Sequence, residues 1–477
     1  MTTAVVVGAG PNGLAAAVHL ARSGVEVRVL EAADQIGGGT RSGEATLPGL
    51  IHDYASAFHP MGIGSPYLAT LDLERHGLTW RWAEIDCAHP LDDGTAGALH
   101  RSLVATAAGL GEDGPRWQRM FGDLSGGFDA LAADLMRPVL GVPGHPLRLA
   151  AFGPRALLPA TVTARWWRTE RARALFGGVA AHAFGRLDRP ATSAVGLMIT
   201  AAGHRHGWPV AEGGSRSITD ALAAMLVEHG GAIDTGVAIH RAGDLPPADV
   251  VLLDLAPRAA LDILGDRVPP RIARAYRRFR HAPGAFKVDY AIEGPVPWTN
   301  ADCGRAGTVH LGGSFAEVAA AERAVAAGAM PGRPFVLVGQ QYLADPTRSR
   351  GNLHPLYAYA HVPHGYPGDA TEAVTAQIER FAPGFRDRIV AVVGTGPAGL
   401  AAANPNQVGG DIIGGANSGL QVALRPRIAL DPYRIGVPGM FLCSASTPPG
   451  AGAHGMCGYN AAESALRYLR KQGLASG

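Results

Sequence analysis

Lysine is almost missing from this chain. Of 42 basic residues only Lys287 and Lys471 are lysines, and the rest are arginines. Acidic residues number 40, so the formal net charge is +2 and no sustained basic face marks a nucleic-acid binder. Cysteine is scarce as well: Cys87, Cys303, Cys443 and Cys457 lie far apart and form no CxxC pair. That spacing argues against a zinc ribbon and a disulfide framework, and it fits a reducing compartment. HExxH and HxxxH spacings are absent, so no metal site is expected. A G-x-S-x-G elbow is also absent, which argues against a hydrolase. No apolar run reaches the ~18 residues of a membrane span. The N-terminus opens on a strand rather than on the charged region of a signal peptide. A soluble cytoplasmic protein is expected.

Glycine is what the chain has in excess, at 65 of 477 residues, about twice the usual ~7%. With 47% hydrophobic residues the chain is too apolar for disorder, so these glycines serve turns and close approaches. The first thirty residues read β-α-β. Ala4 to Val7 is a short apolar run, Leu14 to Ser23 a helical stretch, and Val25, Val27 and Val29 alternate with polar residues before Leu30-Glu31. A helix from Ile218 to Leu226 follows the same grammar, with strands near Ile233, Val237 and Val250 to Leu253. A strand at Met440 to Cys443 and a helix from about Gly458 to Arg470 close the chain.

Gly8-Ala9-Gly10-Pro11-Asn12-Gly13 is GxGxxG between a strand and a helix. Gly8 suits the tight turn, Gly10 the approach of a pyrophosphate, and Gly13 close helix–strand packing. The helix start at Pro11 offers unpaired N–H groups to phosphate. Glu31, 21 residues after Gly10, is placed for ribose hydroxyls. Six residues further on come Gly37, Gly38, Gly39, Thr40 and Arg41, a second glycine cluster with a cation. Here the sequence resembles the glutathione-reductase-like FAD flavoproteins, and the resemblance implies FAD.

The run from Met440 through Ser444-Ala445-Ser446 to Gly455-Met456-Cys457-Gly458-Tyr459-Asn460 resembles the closing flavin motif of the phytoene-dehydrogenase-like oxidoreductases, including the branch of pyridine nucleotide-disulfide oxidoreductase domain-containing protein 2. Asn404-Pro405-Asn406 with Gly409-Gly410-Asp411, Ser56 to Pro60, and Phe286-Lys287-Val288-Asp289 are similar to further blocks of that branch. The resemblance implies that Ser444, Gly455, Met456 and Gly458 border the flavin and that backbone near Val237 contacts the adenine end. It also implies a Rossmann-type FAD domain with an interleaved α+β substrate domain. On texture the first comprises residues 1–105, 208–285 and 395–477, and the second 106–207 and 286–394.

A flavin brings its own hydride chemistry, so catalytic side chains are few. Lys287 is one candidate, because related amine-oxidase-type flavoproteins use a lysine to hold a water near flavin N5. His59 and His454 are candidates for acid–base work, as histidine titrates near neutrality. Gly394 to Gly399 is a second formal GxGxxG, read as a loop because Asn404-Pro405-Asn406 cuts its helix short. Leu147 to Phe176, arginine-rich with Trp166-Trp167, reads either as core or as a membrane-surface element. The leading expectation is an FAD-dependent dehydrogenase, desaturase or oxidase acting on a largely apolar small molecule, with oxygen, a quinone or another group accepting the electrons. An amine or amino-acid oxidase, a redox-neutral isomerase and a non-catalytic flavin-binding partner are the alternatives. The oligomeric state is left open.

Overall fold

Five short strands, each rich in valine or leucine, build the first sheet. The computed structural model describes residues 2–474. The strands are Met440–Leu442, Val250–Leu253, Thr3–Val7, Glu26–Leu30 and Ala232–Asp234, in that spatial order and all parallel. Apolar runs buried on both faces are what a helix-covered parallel sheet requires. Helices Pro11–Arg22, Arg216–Glu228 and Met456–Lys471 cover one face, and Pro257–Leu264 and Pro270–Arg277 the other. Gly458 lets two of them touch closely: a Cβ there would sit 1.8 Å from the Asn12 carbonyl.

A second, mixed sheet of seven strands runs Ile389–Thr395, Gly284–Glu293, Leu353–Val362, Val336–Gly339, Ala306–Leu311, Ile85–Pro90 and Ala96–Leu99. Its period-two alternation decides what faces the ligand space. Phe286, Val288, Tyr290, Leu356, Ala358 and Ala360 point into a core with the helix Thr371–Phe381. The opposite face carries Lys287, Asp289, Tyr357 and Tyr359, where Lys287 pairs with Tyr359 and Asp289 with Tyr357. Helices Gly114–Gly126, Glu170–Ala180 and Thr192–His206 stand over that face, packed around buried Trp117, Phe121, Trp167 and Phe176.

Three expectations shift. Ile85–Pro90 and Ala96–Leu99 join the seven-stranded sheet, not the parallel one, so residues 85–99 leave the segment 1–105. The second GxGxxG is a strand–turn–helix rather than a loop, but its strand is antiparallel at a sheet edge and its helix, Pro397–Ala403, spans only 7 residues. The stretch 147–176 is no single amphipathic helix. Pro159 separates Pro146–Ala156 from the short turn Ala160–Thr163, and Trp167 packs against Trp117, Phe121 and Phe176 in the core.

Candidate functional site

The glycine loop after the first strand is held from three sides. Gly8 takes φ +101°, open to glycine at no steric cost, and its N–H donates to Leu30 O at 2.8 Å. Glu31 Oε2 accepts from Ala9 N–H at 2.7 Å and Oε1 from Ala33 N–H at 2.9 Å. Asp254, at the end of the neighbouring strand, accepts from Gly13 N–H at 2.9 Å. Burial, reinforced by Glu31, pushes the Asp254 carboxyl up to about 7 although the Gly13 N–H pulls it down. The second cluster closes on the first: Gly37 N–H donates to Ala9 O at 2.9 Å, and a Cβ on Gly38 would lie 3.1 Å from Gly10 Cα. A Cβ on Gly10 itself would meet Asp254 at 2.8 Å. Asn12 Oδ1 is buried beside this loop without a hydrogen-bond partner. A cradle that side chains would fill and a helix start with unpaired N–H groups fit the pyrophosphate of a dinucleotide.

From this cradle a continuous cavity of about 1280 Å³ runs into the space between the two sheets. Pockets for one small ligand span ~300–1,000 Å³, so this one has room for a dinucleotide and part of a substrate. At one end Glu31, Val237 and Ile239 line it, and at the other Phe184, Leu337, Tyr357 and Tyr359. Met136, Phe152, Val195, Met198 and Ile199 form an apolar wall. Val139 and Leu157 line it too and are 51% and 66% exposed, so they mark its mouth.

Most of the expected residues meet there. Gly8, Gly10, Pro11, Asn12, Glu31, Gly38, Gly39, Thr40, Arg41, Val237, Ser444, His59 and His454 all line the cavity. Val237 does so from an extended turn after its strand, donating N–H to Glu31 O at 2.8 Å. Gly13, Gly37, Gly455, Met456 and Gly458 do not line it. Gly13 packs against Gly8 O, the close helix–strand approach expected of it, while Gly455 packs against Ala15 and Gly458 against Asn12, so these glycines serve backbone and helix contacts.

The three catalytic candidates also part company. Lys287 is buried behind Tyr357, in ion contact with Asp289 and 4.8 Å from the Tyr357 ring centre. It borders a small side pocket with Tyr54 and Ala55, not the main cavity. His454 is spent on the backbone: Nδ1 accepts from Met456 N–H at 3.1 Å, which leaves Nε2–H to donate to Ala451 O at 3.1 Å. Burial holds it neutral, with its pKa down to about 4. His59 pairs Nε2 with Ser215 Oγ at 2.8 Å and is pushed down to about 4 by burial as well. The sequence reading missed Asp254, Tyr357 and Tyr359, which all line the cavity. The alternation of Leu353–Val362 could have signalled the tyrosines, whereas nothing local distinguishes Asp254.

Two buried arginines flank the site. Arg348 Nη1 meets Asp53 Oδ2 at 2.6 Å and its Nε meets Asp345 Oδ2 at 3.0 Å. Asp53 also accepts from Ser215 N–H and Ser42 Oγ at 2.7 Å each, and Asp345 from Gly213 N–H at 2.8 Å. This clamp fixes the Gly213–Ser215 loop and through it His59. Arg425 lies behind the Ser444–Gly452 wall and bonds Asn417 Oδ1 and the carbonyls of Ala445 and Gln421.

Fold and site together define a two-lobed dinucleotide-binding protein, with a Rossmann sheet facing a mixed sheet across one deep cavity. The profile of the NAD(P)-binding Rossmann-like domain matches residues 6–71. Over 98% of its length the chain is 24% identical to rat pyridine nucleotide-disulfide oxidoreductase domain-containing protein 2, covering 94% of that protein. It is 28% identical to hydroxyneurosporene desaturase of Cereibacter sphaeroides, covering 98% of this chain and 97% of the relative. Among solved structures, cyclohexylamine oxidase from Brevibacterium oxydans superimposes with a TM-score of 0.60 at 17% identity, covering 99% of each chain. The similarity to these two curated relatives therefore runs over 98% of the chain, and one of them is of the branch that its C-terminal run resembles.

Proposed function

We propose that this protein is an FAD-dependent oxidoreductase that oxidises a largely apolar small molecule. The observation that carries the reading is one cavity joining a dinucleotide cradle to an apolar wall. Gly8, Gly10, Pro11 and Asn12 would hold the pyrophosphate, Glu31 and Val237 the adenosine half, and Ser444 and its neighbours the other half. FAD when bound supplies a hydride acceptor at N5 and a path for electrons to oxygen, a quinone or another acceptor. The chain's own part is to orient and to exclude water. Met136, Phe152, Val195, Met198 and Ile199 present an apolar substrate with matching surface and keep solvent out. His59 is held neutral by burial, and its Ser215 contact fixes the ring where it borders the cavity. The named relatives support this reading, as a desaturase and an amine oxidase are among them.

A second reading, oxidation of an amine, is favoured by the aromatic group at the inner end. Phe184 and Tyr359 stack at 5.9 Å, and Tyr357 lies 5.8 Å from Tyr359. Such rings can hold a cation. Anaerobic addition of apolar alkenes and of alkylamines to the purified protein separates the two, read as bleaching of the flavin band. A protein that takes up no FAD would refute both. Gly10→Val should abolish flavin retention, because the added side chain meets Asp254 and closes the cradle. Normal flavin content in that variant would refute the site.

A further inference from the structure

Only two arginines are fully buried among the described residues, Arg348 and Arg425. Arg348 is neutralised by two carboxylates. Arg425 has none: its hydrogen-bond acceptors are the Asn417 amide and two backbone carbonyls. The neighbouring Cys457 thiol is pushed up to about 12, chiefly by burial, so it brings no charge. The Asp411 carboxylate, held by His281 Nδ1 and the N–H groups of Ala282 and Ile413, acts on Arg425 through space but makes no contact with it. A buried cation with no carboxylate in contact is costly and is kept where something negative comes to meet it.

Its surroundings say where that negative charge would be. Ala445 and Asn417, both bonded to Arg425, line the cavity, and a Cβ on Gly450 would lie 3.0 Å from Nη1. In the parallel sheet the strand ends carry Ser444, Asp254, Gly8 and Glu31 from one side to the other. A dinucleotide with its pyrophosphate at Gly8–Asn12 and its adenosine at Glu31 therefore directs its other half toward Ser444 and the wall that Arg425 backs.

We propose that Arg425 is a positioning residue whose charge, met by no contacting carboxylate, stabilises the negative charge that the flavin ring gains on reduction, and so sets its reduction potential. This rests on the FAD reading above and adds the residue that tunes the redox group. Arg425 acts through the wall, by its field, without touching the ring.

The test separates charge from hydrogen bonding. Arg425→Gln keeps donors and loses the cation, while Arg425→Lys keeps the cation. The midpoint potential of the bound flavin in the Gln variant should fall by ~30 mV or more, equivalent to ~10-fold for a two-electron couple. Affinity for sulfite, which loads negative charge onto the oxidised ring, should fall in step, and the Lys variant should stay near the wild type in both. A Gln variant with wild-type potential and sulfite affinity overturns the proposal. Should the Gln variant lose its flavin, sulfite titration of the wild type and the Lys variant decides: no adduct in either overturns the proposal. Absence of flavin from the wild type would instead sink the FAD reading itself.

Discussion

Arg348 and Arg425 are equally hidden from water, yet they do opposite work. Arg348 sits between Asp53 and Asp345, and its remaining nitrogen donates to Ala211 O at 2.7 Å. Its charge is consumed inside the protein, and what it delivers is geometry: the Gly213–Ser215 loop stays in place beneath the cavity. Arg425 meets neutral acceptors only, so its charge projects beyond its own contacts. A cation with carboxylates holds structure, whereas one without them shapes the field of a site.

Stability should divide the two most sharply. Arg348→Met leaves Asp53 and Asp345 buried without a counter-ion, and breaking a buried pair on one side costs ~3–5 kcal/mol. Urea unfolding should record that loss, and a loss below ~1 kcal/mol would show the clamp to be dispensable. Acid comes next. The folded pKa values of His59 and His454 lie near 4, below the ~6.5 of an unfolded imidazole. Between those values the unfolded chain binds protons that the folded one refuses, so stability falls as pH drops from ~6.5 toward ~4, by up to ~1.4 kcal/mol per unit for each histidine. His59→Gln should flatten that slope in denaturation measured at stepped pH; an unchanged slope would count against a neutral His59. The Arg348 clamp should outlast this region. Burial raises the Asp53 carboxyl, but Arg348, the Ser215 N–H and the Ser42 hydroxyl together hold it below the usual range. Its contribution is complete above ~3.9 and is lost only as pH falls through the lower folded value. The smallest effect is expected at Arg425. Arg425→Gln gives up bonds to neutral groups while relieving a buried charge, so thermal unfolding should register ~1 kcal/mol or less. A loss equal to that of Arg348→Met would erase the distinction.

Much of the cradle was legible because it is local. Gly8, Gly10, Glu31 and Gly38 act within one β-α-β unit, where spacing along the chain and distance in space nearly coincide. The C-terminal glycines were not legible in the same way. Gly455 and Gly458 look alike to a motif reader whether they admit a ligand or a neighbouring helix, and only the packing against Ala15 and Asn12 assigns them to the helix. Lys287 stood out by rarity, but rarity carries no direction. Strand alternation puts it on the cavity side of the sheet, and the Tyr357 ring then screens it from the cavity.

The sequence by itself determined the parallel nucleotide-binding unit, since valine runs, a glycine turn and a helix start are properties of short segments. Tertiary structure alone decided which charges are answered. Asp53 and Arg348 are 295 residues apart, and the absence of any such partner at Arg425 cannot be read from its neighbours in the chain. Compensation of a buried charge depends on contacts within a few ångströms and on the removal of water, and both come into being only when the chain has folded.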